Sequence, residues 1–199
     1  MTREQVIKAV LVCMDDAVTD NSIEVVANPV VDQILDAELS NAFKFLPAYM
    51  LPQKSFLSQP GVDILPGIAR VKLPDDFLRF VKYRTTKHRR PLSETDLVAE
   101  GSPQHKLMYG QYTGGIVRPK ACITLYEGSK WLEYTTPKDN SGTALEALYV
   151  SVPTSDDVTT ETISPVAWYV ASSALAVMGE AEASKFAMSK VQEFVTIKQ

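Results

Sequence analysis

The chain has 199 residues, 45% of them apolar and 22% charged, with a formal net charge of -4. That is enough apolar material for a sizeable core, in one ordinary domain or in a compact domain carrying a large insertion. The acidic balance argues against wholesale nucleic-acid binding, no apolar run nears the roughly 18–20 residues that span a bilayer, and two cysteines outside any CxxC beside only two histidines argue against a zinc site.

The charge is unevenly spread. Between Ile64 and Tyr134 there are 12 Lys or Arg against 7 Asp or Glu, a balance of +5, while the rest has 8 against 17, or -9. A basic middle between acidic ends implies two structural units with different surfaces. Cys13 lies on a helical pattern and Cys122 in a strand-like run, so both read as buried apolar residues in a reducing compartment. Met1-Thr2-Arg3-Glu4-Gln5 is a helix start rather than a basic-then-apolar leader, which predicts synthesis in the cytoplasm without a membrane.

Thr2 followed by Gln5 has capping-box spacing, and Val6, Val10, Cys13 or Met14, and Ala17 predict a first helix to Val18. Thr19-Asp20-Asn21-Ser22 is turn chemistry. Asn28-Pro29 predicts a second helix running to about Leu46, with Val31, Ile34, Leu35, Leu39, Ala42 and Phe43 on its apolar side. From Met50 to Gly67 the prolines predict irregular chain. Alternation then predicts strands over 68–73 and 77–83, the latter with Phe77, Arg79, Val81 and Tyr83 opposed to Leu78, Phe80 and Lys82. The next 25 or so residues read as polar loop, followed by strands at 107–112, 121–126 and 130–135, with Gly114-Gly115 and Glu127-Gly128-Ser129 as hairpin connectors. Residues 144–152 read as a returning strand rather than a short helix.

Ser164-Pro165 predicts the start of a final helix. Val166, Val170, Ala174, Val177, Ala181 and Ser184 recur at threes and fours, and Ala187, Val191 and Phe194 extend the stripe. About thirty residues would form a rod about 45 Å long. Its small face, including Ala167, Ala171, Ala174 and Ala181, would admit another helix closely, from this chain or from a neighbouring subunit. The fold class is therefore α+β: a small helical bundle, 1–50 with 155–199, and an inserted antiparallel β domain, 51–154, of sandwich or barrel-like form.

No catalytic grouping stands out. Asp15-Asp16, Asp75-Asp76 and Asp156-Asp157 are neighbours that point apart and lie near element boundaries, where Asp serves caps and turns. The glycines at 110, 114 and 115 lack a following Lys-Ser/Thr, so they form no phosphate loop, and no nucleophile elbow is present. No catalytic, cofactor-binding or metal-ligating residue is assigned. Lys87-His88-Arg89-Arg90 is the one sharp charge cluster: a solvated loop is the plainer reading, and a phosphate contact or a dock for an acidic partner the functional one. His88 and His105 are expected to be exposed and inert. Trp131 and Tyr134 read as strand packing.

Several stretches carry a family resemblance. Leu73-Pro74-Asp75-Asp76-Phe77-Leu78-Arg79, Arg89-Arg90-Pro91-Leu92, Val117-Arg118-Pro119, Trp131-Leu132-Glu133-Tyr134-Thr135 and Leu148-Tyr149-Val150-Ser151-Val152-Pro153 resemble segments of the head–tail connector (adaptor, or tail tubular) proteins of tailed bacteriophages. So does the order of two helices, a β insertion and a long helix, and the likeness covers about Asn28 to Val195. It implies a structural virion protein: a homo-oligomeric ring, usually of twelve subunits, lying between the portal protein and other neck or tail proteins, with DNA only in transit through its channel. Heterologous contacts that close on themselves make such rings. The family's long portal-gripping tail has no counterpart after Phe194, which implies gripping by the helix end or a loop. The alternative from another class is a small-ligand-binding or enzymatic α+β domain with its site in the β insertion and the loop at 87–90, expected to show a deep pocket with convergent polar groups.

Overall fold

The computed structural model describes residues 1–18, 24–110, 117–138 and 141–196. In chain order its elements are α1 (Arg3–Ala17), α2 (Glu24–Phe45), β1 (Lys54–Ser55), β2 (Gly61–Leu65), β3 (Ile68–Lys72), β4 (Phe77–Thr85), β5 (Leu92–Ser93), β6 (Leu97–Val98), α3 (Pro103–Met108), β7 (Ala121–Tyr126), β8 (Ser129–Thr135), β9 (Ala144–Ser151), α4 (Ile163–Val177) and α5 (Ala181–Thr196). The mixture is α+β. The chain divides into two compact units, Met1–Pro52 with Val152–Gln199, and Gln53–Ser151.

The first unit is helical. Thr2 accepts from the Gln5 amide while the Gln5 side chain accepts from the Thr2 amide, so two of the donors left over at the start of α1 are satisfied reciprocally. Val6, Val10, Cys13 and Met14 form its buried stripe. Arg3 reaches across to Asp32 (2.9 Å) and Asp36 (2.6 Å) on α2. At the centre lies α4, which touches α1, α2 and α5. It buries Pro165, Val166, Ala167, Val170, Ala171, Ser172, Ala174 and Leu175, the near-complete apolar girdle of a helix surrounded by others.

Three sequence expectations change here. The rod is two helices. Gly179, at φ +89°, takes the left-handed turn that L side chains resist, the Glu180 amide donates to the Leu175 carbonyl (2.9 Å) and the Gly179 amide to that of Ala176 (3.2 Å), a glycine-terminated helix end that reverses the chain. The hydroxyl of Ser172 bonds the carbonyl of Ser184 at 3.0 Å, and Trp168 meets Phe186 edge-on, so α5 runs back along α4. The small face is consequently spent inside the chain: Ala167, Ala171 and Ala174 are at most 1% exposed, and of the four alanines expected to admit a helix from a neighbouring subunit in a ring Ala181 alone lies at the surface. Helix α4 starts at Ile163, placing Pro165 in the first turn rather than at its first residue, and α2 starts before Asn28, carrying Pro29 inside it.

The second unit is built of two sheets, β1-β9-β4-β5 and β2-β3-β8-β7-β6, antiparallel apart from the short parallel pair β6–β7. Their inner faces share one core that includes Phe56, Val71, Phe77, Phe80, Tyr83, Leu132, Tyr134 and Tyr149. Strands β3, β7 and β8 fall where the sequence places them, and 144–151 is the returning strand β9 rather than a short helix. The turn at Glu127 (φ +50°) and Gly128 (φ +73°) closes the β7–β8 hairpin with the positive dihedrals that such a two-residue link requires. Elsewhere the pattern misleads. Register shifts along β4 reset its alternation, so Phe77, Phe80, Tyr83 and Thr85 point inward instead of Phe77, Arg79, Val81 and Tyr83. The stretch read as irregular holds β1 and β2, and the polar loop holds β5, β6 and a helix start. Leu107 and Met108 are helical in α3, capped by Ser102 with Pro103 at its first position, rather than the start of a strand; Tyr112 and the Gly114-Gly115 connector lie outside the described residues.

Candidate functional site

One end of the β unit gathers the loops that follow β4 and β8 and precede β7. The loop after β4 turns inward at His88, which is 3% exposed rather than solvated as the sequence suggested. Its Nε2 donates to the Thr135 carbonyl at the end of β8 (2.9 Å), its Nδ1 accepts from the Thr85 amide (3.5 Å), and its ring sits edge-on to Tyr134. Burial holds the imidazole below its ordinary pKa, opposed by the bond to Thr135 and reinforced by Arg84 and Arg90. The ring is a neutral clasp between two strand ends. Thr135 extends the clasp: its hydroxyl accepts from the Lys120 amide at 2.9 Å.

Arg90 makes a forked pair with Asp96, 2.6 Å on each side, and Lys120 approaches the same carboxylate at 3.9 Å. Asp96 is 3% exposed, and Ser93 donates to it through backbone and hydroxyl. The Arg90 bonds hold its carboxyl below the usual range in spite of burial. The run Lys87-His88-Arg89-Arg90 is thereby divided. His88 and Arg90 fasten the loop, whereas Lys87 and Arg89 stand exposed, and no ion pair among the described residues engages either. Arg118, two residues before Lys120, and Lys138, three after Thr135, are exposed too. At the opposite end of the sheets lie Asp75, Asp76 and Glu127, where Asp76 accepts from Lys54 (3.0 Å) and Tyr149 (2.7 Å).

A second polar cluster lies on the outer face of the five-stranded sheet. In register Arg70 opposes Glu133, which opposes Cys122. Glu133 is 7% exposed and accepts a short hydrogen bond from the Tyr109 hydroxyl; burial and this carboxylate both push the Tyr109 hydroxyl up. His105 Nδ1 accepts from the Gly101 amide (3.0 Å), which leaves its Nε2 carrying the proton, 3.8 Å from Glu133. Arg70 Nε, His105 Nε2 and Thr124 Oγ1 are buried without a hydrogen-bond partner. The Arg70 guanidinium rests 4.1 Å from the Tyr126 ring centre and 4.7 Å from that of Trp131, so Trp131 is a cation–π partner as well as a strand residue. Burial first, then Glu100 and Glu133, pushes the Cys122 thiol up to about 11, and Cys13 is pushed up to about 12 by burial and Asp16, so neither is a ready nucleophile.

Among the described residues no group of three His, Cys, Asp or Glu could hold a metal ion. A shallow groove beside the β2–β3 turn, lined by Asp63, Leu65, Pro66 and Lys138 among others, brings together no convergent acid–base set. The acidic pairs serve structure where they are bonded: Asp157 closes a capping box with Thr154, and Asp76 receives the two bonds above. Sequence reasoning missed Asp96, Glu133 and Tyr109. The spacing Ser93 to Asp96 carried a capping-box signal for the first, whereas the other two meet only once α3 has folded over the sheet. No protein-family model matches the chain, and no curated protein does.

Proposed function

We propose that the chain is a structural ring protein of a tailed-phage neck: a small helical bundle from both chain ends, carrying an inserted antiparallel β module, that assembles as a homo-oligomer between the portal and the tail. The observation that carries this reading is the opposite charge of the two units. Residues 1–52 with 152–199 hold 6 Lys or Arg against 14 Asp or Glu, or -8; residues 53–151 hold 14 against 10, or +4. A protomer with two oppositely charged modules is suited to head-to-tail association with its own copies, and head-to-tail contacts that close give rings. The local likeness of the 73–79, 131–135 and 148–153 segments to connector proteins points the same way. In this reading the protein works without catalysis or cofactor, resides in the virion, and lets DNA pass through its channel.

Light scattering and electron microscopy of the protein alone and mixed with a portal test the reading. A closed oligomer, expected to be dodecameric, is predicted at high concentration or on the portal; a monomer under both conditions ends it. The three unpartnered polar atoms around Glu133 favour a second reading, a small polar ligand held under α3. Native mass spectrometry of freshly purified protein checks it: a bound small molecule lost in Glu133→Gln supports it, and bare protein removes it.

A further inference from the structure

We propose that the basic end of the β unit is the surface by which one copy grips the acidic helical unit of the next. The inference rests on the ring reading and names the contact that the reading needs. Four cations, Lys87, Arg89, Arg118 and Lys138, project from loops at this one end, each exposed. The loops beneath them are fixed in advance. His88 ties the 86–90 loop to the end of β8, Asp96 holds Arg90 in a fork, and Thr135 secures Lys120 next to Arg118. A charged surface whose backbone is already ordered loses little freedom on docking.

The excess of cations belongs to this end, because at the far end of the same sheets Asp75, Asp76 and Glu127 lie beside Lys54, which pairs with Asp76 at 3.0 Å, and Lys130. The occupant follows from charge. The -8 of the helical unit on a second copy meets this end favourably. Two different patches are involved, so the contact repeats from copy to copy rather than pairing two copies face to face.

The test is sedimentation of the full chain over a wide concentration range, at about 0.05 and about 0.5 M salt, bracketing strong and weak screening. Wild type is compared with Lys87→Glu/Arg89→Glu/Arg118→Glu and with the milder Lys87→Ala/Arg89→Ala/Arg118→Ala. All three residues are exposed, so circular dichroism should show both variants folded. The expected result is salt-weakened assembly in wild type, a midpoint raised about tenfold or more by the reversal, and an intermediate shift for the alanines. If wild type assembles and the reversal assembles equally well, this contact is wrong while the ring reading stands. If wild type stays monomeric both alone and with a portal, the ring reading itself is lost. If the reversal abolishes binding of a short DNA duplex and leaves assembly untouched, the basic end is a nucleic-acid surface and the proposal is overturned.

Discussion

The two units differ in what their central elements bury. In the helical unit the central element α4 buries the small Ala167, Ala171 and Ala174, each at most 1% exposed, and the larger buried side chains, among them Phe43, Leu35 and Leu39, come from α2. In the β unit the largest buried side chains are rings, Phe56, Phe80, Tyr83 and Tyr134. Geometry explains the contrast. Stacked sheets lie about 10 Å apart and need long side chains to close the gap, whereas small residues let helix axes come to the near end of their usual 8–10 Å. The β unit also buries polar atoms as it fills: the Tyr83 and Tyr134 hydroxyls meet at 3.3 Å, and Gly61 is needed beside them because an added Cβ would lie 2.8 Å from the Tyr134 oxygen. The ring-filled β core and the alanine face of α4 should therefore fail differently, large-to-small in one and small-to-large in the other.

Each unit holds one of the two tryptophans, Trp131 and Trp168, so single-tryptophan variants report on the units separately. The largest effect is expected from Phe80→Ala, which empties a ring-sized space between the sheets. It should cost about 3–5 kcal/mol, seen as an earlier denaturant midpoint at Trp131 with Trp168 less affected. Ala171→Leu should cost about 1–3 kcal/mol by overpacking and reverse that order of response. Equal shifts at both reporters would mean that the units unfold as one.

Smaller still, Gly179→Ala forces an L side chain to φ +89°, worth about 1–2 kcal/mol, and should lower the thermal midpoint at Trp168 only. The smallest effect is the pH response of His88. Its folded pKa lies below the unfolded value of 6.5, so the unfolded chain takes up the proton first. The stability it provides is complete above pH 6.5 and declines as pH falls from there through the folded value. Comparing Trp131 midpoints at pH 7.5 and at pH 5, about 1 unit above and about 1.5 units below the free imidazole, His88→Gln should show the smaller acid loss; an identical loss would rule out this clasp as the titrating group.

The sequence disclosed elements whose cause is local. The Thr2–Gln5 box, the β7–β8 turn and the alternation of β3 depend on neighbouring residues alone. What stayed hidden depended on distant ones. No spacing announces that a histidine inside a basic run turns inward, because the carbonyl that receives it belongs to Thr135, 47 positions away. The bulges of β4 show only against the partner strand β9. The break at Gly179 is of a different kind: a glycine inside a helical pattern is a stop signal, but the apolar stripe continues past it in step and masks the break. Ser102-Pro103 at the start of α3 carries the same local signature as Ser164-Pro165 and is legible without distant residues.

The central position of α4 also bears on how the molecule is made. Val6, Val10, Leu35 and Leu39 wait for a helix that a ribosome delivers more than a hundred residues later. In that interval the inserted sheets can close by themselves, for their first and last strands, β1 and β9, pair side by side. Newly synthesised α1 and α2 therefore pass the period of elongation before their central partner has emerged, and apolar surface exposed in such an interval is what makes an unfinished chain more prone to aggregate than the finished one.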